Sequence, residues 1–281
     1  MTKTLFDPVR LGDIDAPNRI LMAPLTRTRG TREHAPTPLM ARYYAQRSRA
    51  GLIVSEAIGV TQEGLGWPFA TGLWRSDQVA GWKSVTDAVH AAGGRIVAQL
   101  WHMGRMVHPS FVGGVRPVSS SATCAPGRAH TYEGRAPYVA ARPLHPEEIT
   151  RIVGDFRAAA GRAMDAGFDG VQIHAANGYL LDQFLRDGAN LRRDPYGGSI
   201  DNRLRFLVEV TEAVIGEWGA GRTSVRFSPN GDTQGVNDSA PEALYEAAGK
   251  AMNRLKIGFI ELREPPRTGT LGQADRDPIA P

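Results

Sequence analysis

Six short apolar segments, separated by segments with helical periodicity, constrain the fold of this chain more than any other feature. None of the six shows a clean polar and apolar alternation, which is typical of parallel strands that are covered on both faces. The segments are residues 19–23, 51–57, 95–101, 168–174, 223–228 and 257–263. Because such strand and helix units connect with right-handed crossovers, two main topologies remain: a closed α/β barrel or an open doubly wound sheet.

Helical signals lie between the strands. Residues 146–163 carry apolar side chains at a 3.6-residue period, begin with a proline and two glutamates, and precede Gly167, a common type of helix end. Residues 82–92 show a second such pattern, and Ser239 with Glu242 predicts a capping box for a third helix. No Gly-x-Gly-x-x-Gly follows the first strand, whereas polar residues follow several strands, so the barrel is favoured.

Length and composition are consistent with one α/β domain. The chain has 281 residues, 42% of them hydrophobic, and can bury one large core. We assign residues 1–265 to the barrel. Within it, residues 102–144 are rich in Gly, Pro, Ser and Arg, and we expect this long segment to form a cap or lid over the site. Residues 266–281 are expected to form an irregular tail.

Charge, cysteine and histidine content argue against several classes of protein. The 33 Lys and Arg residues are interspersed with 29 Asp and Glu residues, so nucleic-acid binding has little support. Cys124 is the single cysteine, and His102, His108 and His174 lack a recognised metal-ligand spacing. The amino terminus lacks the apolar core of a signal peptide, and no run approaches the roughly 20 apolar residues of a membrane span. We therefore expect a cytoplasmic protein with no metal and no membrane contact.

The segment 167–181 carries the most chemistry. A Gly-bounded apolar strand is followed at once by His174, Asn177 and Tyr179. In an α/β barrel, the loop at the carboxyl end of a strand directs such polar groups into a shared cup. From the spacing alone, other interpretations stay open, because a histidine beside a strand is commonly a satisfied core or rim residue and Asn-Gly is a favoured turn pair.

Five motifs in chain order resemble those of the old yellow enzyme family of FMN-dependent ene-reductases. They are PNRILMAPLTR at 17–27, AQLWH at 98–102, HAANGY at 174–179, RDPYGGS at 193–199 with Asn202 and Arg203, and VRFS at 225–228. The similarity extends from about residue 5 to residue 265. The resemblance implies an eight-stranded TIM-type (β/α)8 barrel with FMN across the carboxyl ends of its strands, and NADPH or NADH as the reductant.

The resemblance assigns cofactor contacts to several strand ends. The matching residues are Ala23, Pro24, Thr26, Ala57, Gln99, His174 and Arg226. Gln99 matches a glutamine that bonds the pyrimidine part of the flavin, a role for which an amide has both a donor and an acceptor. Arg226 matches an arginine near the flavin N1, where a fixed cation favours the anionic reduced ring. Without the resemblance, a salt bridge would be the commoner role for a strand-end arginine.

The resemblance also implies the reaction. His174 and Asn177 match the pair of donors to the activating oxygen of the substrate, and Tyr179 matches the proton donor to its α-carbon. The substrates would be electron-poor alkenes such as enones and maleimides, with quinones and nitro compounds as further candidates. Trp101 and Trp67 either line the substrate side or serve as barrel packing and a loop anchor.

Only six strands are predicted, whereas the family barrel has eight. Because the loops after the last two strands hold the cofactor phosphate in barrels of this class, we expect an incomplete barrel whose open edges promote self-association. Two other functions remain open. A non-catalytic fragment that acts as a binding or assembly partner would fold without flavin. A flavin-independent isomerase or lyase, with His174 and Tyr179 as acid and base, would turn over without flavin.

Overall fold

The computed structural model describes residues 3–231 and 233–264. An antiparallel hairpin of β1 (Val9–Leu11) and β2 (Ile14–Ala16) comes first. The following elements are β3 (Leu21–Met22), α1 (Pro38–Ala45), β4 (Leu52–Gly59), β5 (Thr71–Gly72), α2 (Ser76–Ala91), β6 (Ile96–Trp101), β7 (Val118–Ser119), β8 (Arg128–Thr131), β9 (Gly134–Pro137), β10 (Arg142–Pro143), α3 (Pro146–Asp165), β11 (Gly170–His174), α4 (Leu180–Leu185), α5 (Ile200–Trp218), β12 (Thr223–Phe227), α6 (Pro241–Arg254) and β13 (Phe259–Leu262).

Six parallel strands form one curled sheet in the order β3, β4, β6, β11, β12 and β13, with the short β5 paired to β4. All six predicted strands are present, and their ends differ from the prediction by a few residues. The described part of the chain is thus a half-barrel of the predicted α/β class. Self-association through the edges at β3 and β13 stays a prediction, and the predicted tail at 266–281 lies outside the described residues.

Helices pack against the sheet through apolar stripes. Trp82 on α2, Phe156 on α3 and Phe206 on α5 are fully buried in one core with the strands. The predicted pattern at 146–163 lies within α3, and Gly167 follows the end of this helix with φ +80°. A residue in this left-handed conformation cannot continue a right-handed helix, and glycine adopts it without strain, so the helix ends before Gly167.

The predicted capping box at Ser239 and Glu242 is wrong. The N-cap of α6 is Ala240, and no side chain caps it. The Ser239 hydroxyl donates instead to the Asp187 carboxylate, and the Ser239 N–H lies 3.1 Å from Asp187 Oδ1. A sequence motif cannot show that a carboxylate 52 residues away competes for the capping hydroxyl.

The segment 102–144 has its own local structure. It contains two 3-10 turns at Gly104–Met106 and Pro109–Phe111, the antiparallel hairpin of β8 and β9, and β7, which pairs with β10. Its predicted function as a cap stays a prediction. No helix in the described ranges is both long and apolar enough to span a bilayer.

A bulge in β4 lies beside the carboxyl end of the sheet. The pairing of β4 with β6 aligns Val54 with Val97 and Ala57 with Gln99, so β4 has one residue more than β6 between these two pairs. The backbone N–H of Gln99 donates to the Ser55 hydroxyl at 3.0 Å. The bulge therefore sets Ala57 beside Gln99 where the two strands end.

The buried His102 predicts a pH-dependent stability. Its side chain is enclosed, and burial lowers its pKa from 6.5 to about 3. Between these values the unfolded chain binds a proton that the folded chain does not, so stability falls as the pH falls. Replacing His102 by Gln should reduce the slope of unfolding free energy against pH by about 1.4 kcal/mol per pH unit once the pH is about one unit below the unfolded pKa.

The measurement is urea unfolding at several pH values between 7 and 5, with wild type and H102Q in parallel. His108 is the matched control, because it is only half-buried and its Nδ1 lies 2.9 Å from the Ser110 hydroxyl. H108Q should keep the wild-type slope. An H102Q slope equal to that of wild type would contradict the prediction.

Candidate active site

One cavity of about 230 Å³ lies at the carboxyl ends of the strands. Ten of the eleven predicted site residues line it, together with Leu25, which was not predicted. The lining residues are Pro24, Leu25, Thr26, Ala57, Trp67, Gln99, Trp101, His174, Asn177, Tyr179 and Arg226. Ala23 is the exception: it directly precedes Pro24 but is exposed and does not line the cavity.

The sheet brings these side chains together because parallel strands end at a common rim. Gln99 and Trp101 are two residues apart on β6 and therefore share a face. His174 and Arg226 are register partners at the ends of β11 and β12. Ala57 reaches the same rim through the bulge in β4.

His174 is 4% exposed and stays neutral. Burial, and secondarily the Arg226 cation, hold the pKa of its imidazole well below the usual value. A neutral imidazole has one N–H donor and one acceptor nitrogen. Its Nδ1 atom is buried without a hydrogen-bond partner among the described residues, and its ring lies nearly parallel to that of Trp101 at 6.5 Å. The imidazole is therefore held in place by packing, with hydrogen-bonding capacity left for a ligand.

A tight turn positions Asn177. This residue has φ +57° and is followed by Gly178 with φ +76°, so two consecutive residues are left-handed. The Asn177 N–H donates to the Ser228 hydroxyl at 2.8 Å, and the Gly178 N–H donates to Asp182 Oδ2 at 2.8 Å. The buried Asn177 Oδ1 has no partner within the described ranges. The side-chain amide is thus free to bind a ligand from a fixed backbone.

Tyr179 lies between two aromatic neighbours. Its ring meets Trp101 and His174 edge to face, with centroid distances of 4.9 and 5.1 Å. Burial raises the pKa of its phenol, against the smaller lowering effects of the Gln234 side chain and the Arg226 charge. Tyr179 is therefore protonated at neutral pH and can serve as a proton donor.

A second loop, residues 233–235, contacts the site and was not predicted. Gln234 is left-handed at φ +64°, and its side chain interacts with the phenol of Tyr179. The buried Arg105 donates to the carbonyl oxygens of Gln234 and Gly235 at 3.0 and 2.9 Å and to the Thr123 hydroxyl at 2.8 Å. One guanidinium therefore joins this loop to the 102–144 segment.

A chain of polar side chains also lies behind the cavity. Gln99 Nε2 donates to Gln172 Oε1 at 2.7 Å, and Gln172 Nε2 donates to Glu261 Oε2 at 2.9 Å. The other carboxylate oxygen of Glu261 forms an ion pair with Arg226 Nε at 3.1 Å. Burial lowers the pKa of the Arg226 guanidinium, and the Glu261 charge opposes this effect. Gln172 and Glu261 were missed in the sequence.

Both tryptophans line the cavity and also pack against neighbouring side chains, and their contact with substrate stays a prediction. Trp101 lines the cavity and packs in a cluster with Ala57 and Met103. Trp67 lines the cavity and also contacts the His130 ring at a centroid distance of 4.9 Å, which anchors its loop to β8.

A larger surface cleft of about 770 Å³ lies elsewhere, around the start of α3. Two of its cations are already paired: Arg192 with Asp194, and Arg142 with Glu148 at 2.6 Å. It contains none of the predicted residues. Among the described residues, no group of three or more His, Cys, Asp or Glu side chains is placed to hold a metal ion. The smaller cavity is therefore the better candidate for the active site.

Relatives with solved structures share this architecture. An old yellow enzyme homologue from Zymomonas mobilis is 55% identical, with a TM-score of 0.96 over 98% of this chain and 77% of its own. Morphinone reductase in complex with tetrahydroNAD is 42% identical, with a TM-score of 0.90 over 93% of this chain and 74% of its own. These likenesses confirm the prediction of a TIM-type barrel fold.

The sequence comparisons agree. The chanoclavine-I aldehyde reductase fgaOx3 of Penicillium roqueforti is 42% identical over 269 residues, which are 94% of this chain and 70% of the relative. Among the similar proteins compared, the chain spans between 61% and 92% of the relative's length. The model of the NADH:flavin oxidoreductase / NADH oxidase family matches residues 4–273. The chain therefore belongs to this family, the FMN-dependent oxidoreductases of the old yellow enzyme type.

Proposed function

We propose that the chain reduces the carbon–carbon double bond of activated alkenes, such as enones and maleimides, in the cavity at the strand ends, with nitro compounds and quinones as further substrates. The observation that carries this proposal is the convergence of ten predicted residues on one cavity. NADPH or NADH is the proposed reductant, in line with the morphinone reductase structure that holds tetrahydroNAD.

The cavity residues fit a flavin ring. Pro24, Thr26 and Ala57 would pack against it, Gln99 would bond its pyrimidine part, and Arg226 would lie near N1. The unpartnered buried atoms His174 Nδ1 and Asn177 Oδ1 support a polar ligand, since such atoms are costly unless something binds them. When bound, FMN supplies a hydride to the β-carbon of the substrate.

His174 and Asn177 would bind the activating oxygen of the substrate. Charge develops on this oxygen as the double bond is reduced, and two fixed donors stabilise that charge. Both groups are set before the substrate arrives: the imidazole by its packing on Trp101, and the amide by the turn that Ser228 and Asp182 hold. Little reorganisation is then needed during the reaction.

Tyr179 would donate its phenolic proton to the α-carbon. The O–H electron pair stays on the phenolic oxygen, and a proton from solvent restores the phenol. The nearby Arg226 charge and the Gln234 side chain both favour the anion that forms for a moment. Aromatic neighbours on two sides limit the directions that the hydroxyl can take.

The test is a titration of the purified chain with FMN, followed by visible absorbance and gel filtration, and then by an assay of enone-dependent NAD(P)H oxidation. We expect flavin to co-elute with a perturbed spectrum, and oxidation to require both flavin and enone. A folded chain that passes FMN through unbound would contradict the proposal and favour the binding-partner alternative. Turnover of a substrate without flavin would favour the isomerase or lyase alternative.

A further inference from the structure

The hydrogen bonds between the polar side chains behind the cavity all run in one donor-to-acceptor direction, from Gln99 through Gln172 to Glu261. The two ends of this polar chain, Gln99 and Arg226, line the cavity, whereas Gln172 and Glu261 do not. Gln99 and Gln172 are both almost fully buried, so solvent cannot replace a lost bond between them. These four polar side chains come from four strands, β6, β11, β13 and β12.

An isolated glutamine side chain can present either its oxygen or its nitrogen to a neighbour, but a carboxylate beside a guanidinium only accepts. Glu261 therefore requires the nitrogen of Gln172, as the 2.9 Å contact shows. The Gln172 oxygen then requires the nitrogen of Gln99, at 2.7 Å. The Gln99 oxygen is the atom left to face away from this chain.

We propose that Glu261 is a positioning residue that fixes the orientation of the Gln99 amide, so that its carbonyl oxygen selects a ligand with a ring N–H. This inference rests on the proposed flavin site and deepens it. The ligand chemistry that fits is an imide-type ring edge, with an N–H for the Gln99 oxygen and electron-rich atoms near Arg226. Glu261 acts on the ligand only through Gln172 and Gln99 on one side and through Arg226 on the other.

The experiment compares FMN with its N3-methyl derivative, in which a methyl group replaces the imide hydrogen. Dissociation constants are measured by flavin fluorescence quenching. Wild type should bind the methylated flavin roughly 10-fold or more weakly than FMN, because it loses a hydrogen bond and leaves the Gln99 oxygen unpaired. In E261Q, position 261 can donate as well as accept, so the amide chain can reverse and this preference should shrink severalfold.

Three further variants make the result decisive. Q172L removes both hydrogen bonds between Gln99 and Glu261 and should also shrink the preference for FMN over its N3-methyl derivative. E147Q, the same charge change at an exposed position on α3, should keep it. Q99L should weaken FMN binding itself. Circular dichroism confirms that each variant is folded.

The outcomes separate the inference from the proposed function. If Q99L weakens FMN binding while folded E261Q and Q172L both keep the wild-type preference, Glu261 does not position Gln99, and the flavin site stands. If Q99L binds FMN as wild type does, or if wild type binds neither flavin, both the inference and the proposed flavin contacts are overturned.

Discussion

Replacing Tyr179 by Phe should slow product formation by about 10²- to 10⁴-fold, the usual contribution of a positioned general acid. The variant keeps the ring, and with it the edge-to-face contacts to Trp101 and His174. It loses only the hydroxyl. Hydride transfer should therefore persist, while protonation of the α-carbon depends on the solvent.

The two steps can be measured separately. Reduced holoenzyme is mixed anaerobically with an enone; flavin absorbance reports hydride transfer, and quenched samples report the saturated product. Y196F is the matched control, because burial also raises the pKa of the Tyr196 phenol to about 12, whereas its hydroxyl donates to Glu209 and the residue does not line the cavity. Unchanged single-turnover and steady-state rates in Y179F, for every substrate tested, would remove Tyr179 from this role.

Replacing Asp182 by Ala should lower the free energy of unfolding by about 3–5 kcal/mol, since it leaves a buried cation without its partner. Asp182 is fully buried on α4. Its carboxylate accepts from Arg186 Nε at 2.9 Å, from the Tyr245 hydroxyl at 3.2 Å and from the Gly178 N–H at 2.8 Å. The same carboxylate therefore stabilises α4 and the turn that carries Asn177.

Urea unfolding of the purified chain measures this effect. The matched control is D87A, because Asp87 and Lys83 form an ion pair with the same i,i+4 spacing but with more than half of each side chain exposed. That substitution should cost about 1 kcal/mol or less. Equal losses of unfolding free energy in the two variants would mean that the buried ion pair contributes no more to stability than the exposed one.

The sequence predicts the sheet and most of the cavity because both depend on local patterns. Apolar segments of strand length and the helices between them define the parallel order. Polar residues directly after strands, such as His174 and Asn177, must then lie at the common rim. Ala23 lies in the same motif as Pro24 and Thr26 but is exposed and does not line the cavity, so its contact with the flavin stays a prediction.

The residues near the cavity that were not predicted differ in whether the sequence contained a pattern that indicates their position. Gln172 is two residues before His174 on β11, so strand alternation alone places it on the same face. Glu261 needed the register of β13 with β12, which pairs it with Arg226. Gln234 had no local signal, because its left-handed backbone and its position against Tyr179 depend on Arg105, more than 100 residues earlier.

Because of the bulge in β4, Ser55 should tolerate substitution poorly although it does not line the cavity. Ser55 lies outside the cavity, and a survey of ligand contacts would pass over it. Its hydroxyl nevertheless accepts the Gln99 N–H and donates to the Glu56 carbonyl at 2.8 Å, bonds that a regular ladder would not require. Laboratory evolution that reshapes the pocket by varying residue 57 should therefore succeed only while a hydroxyl-bearing residue is kept at position 55.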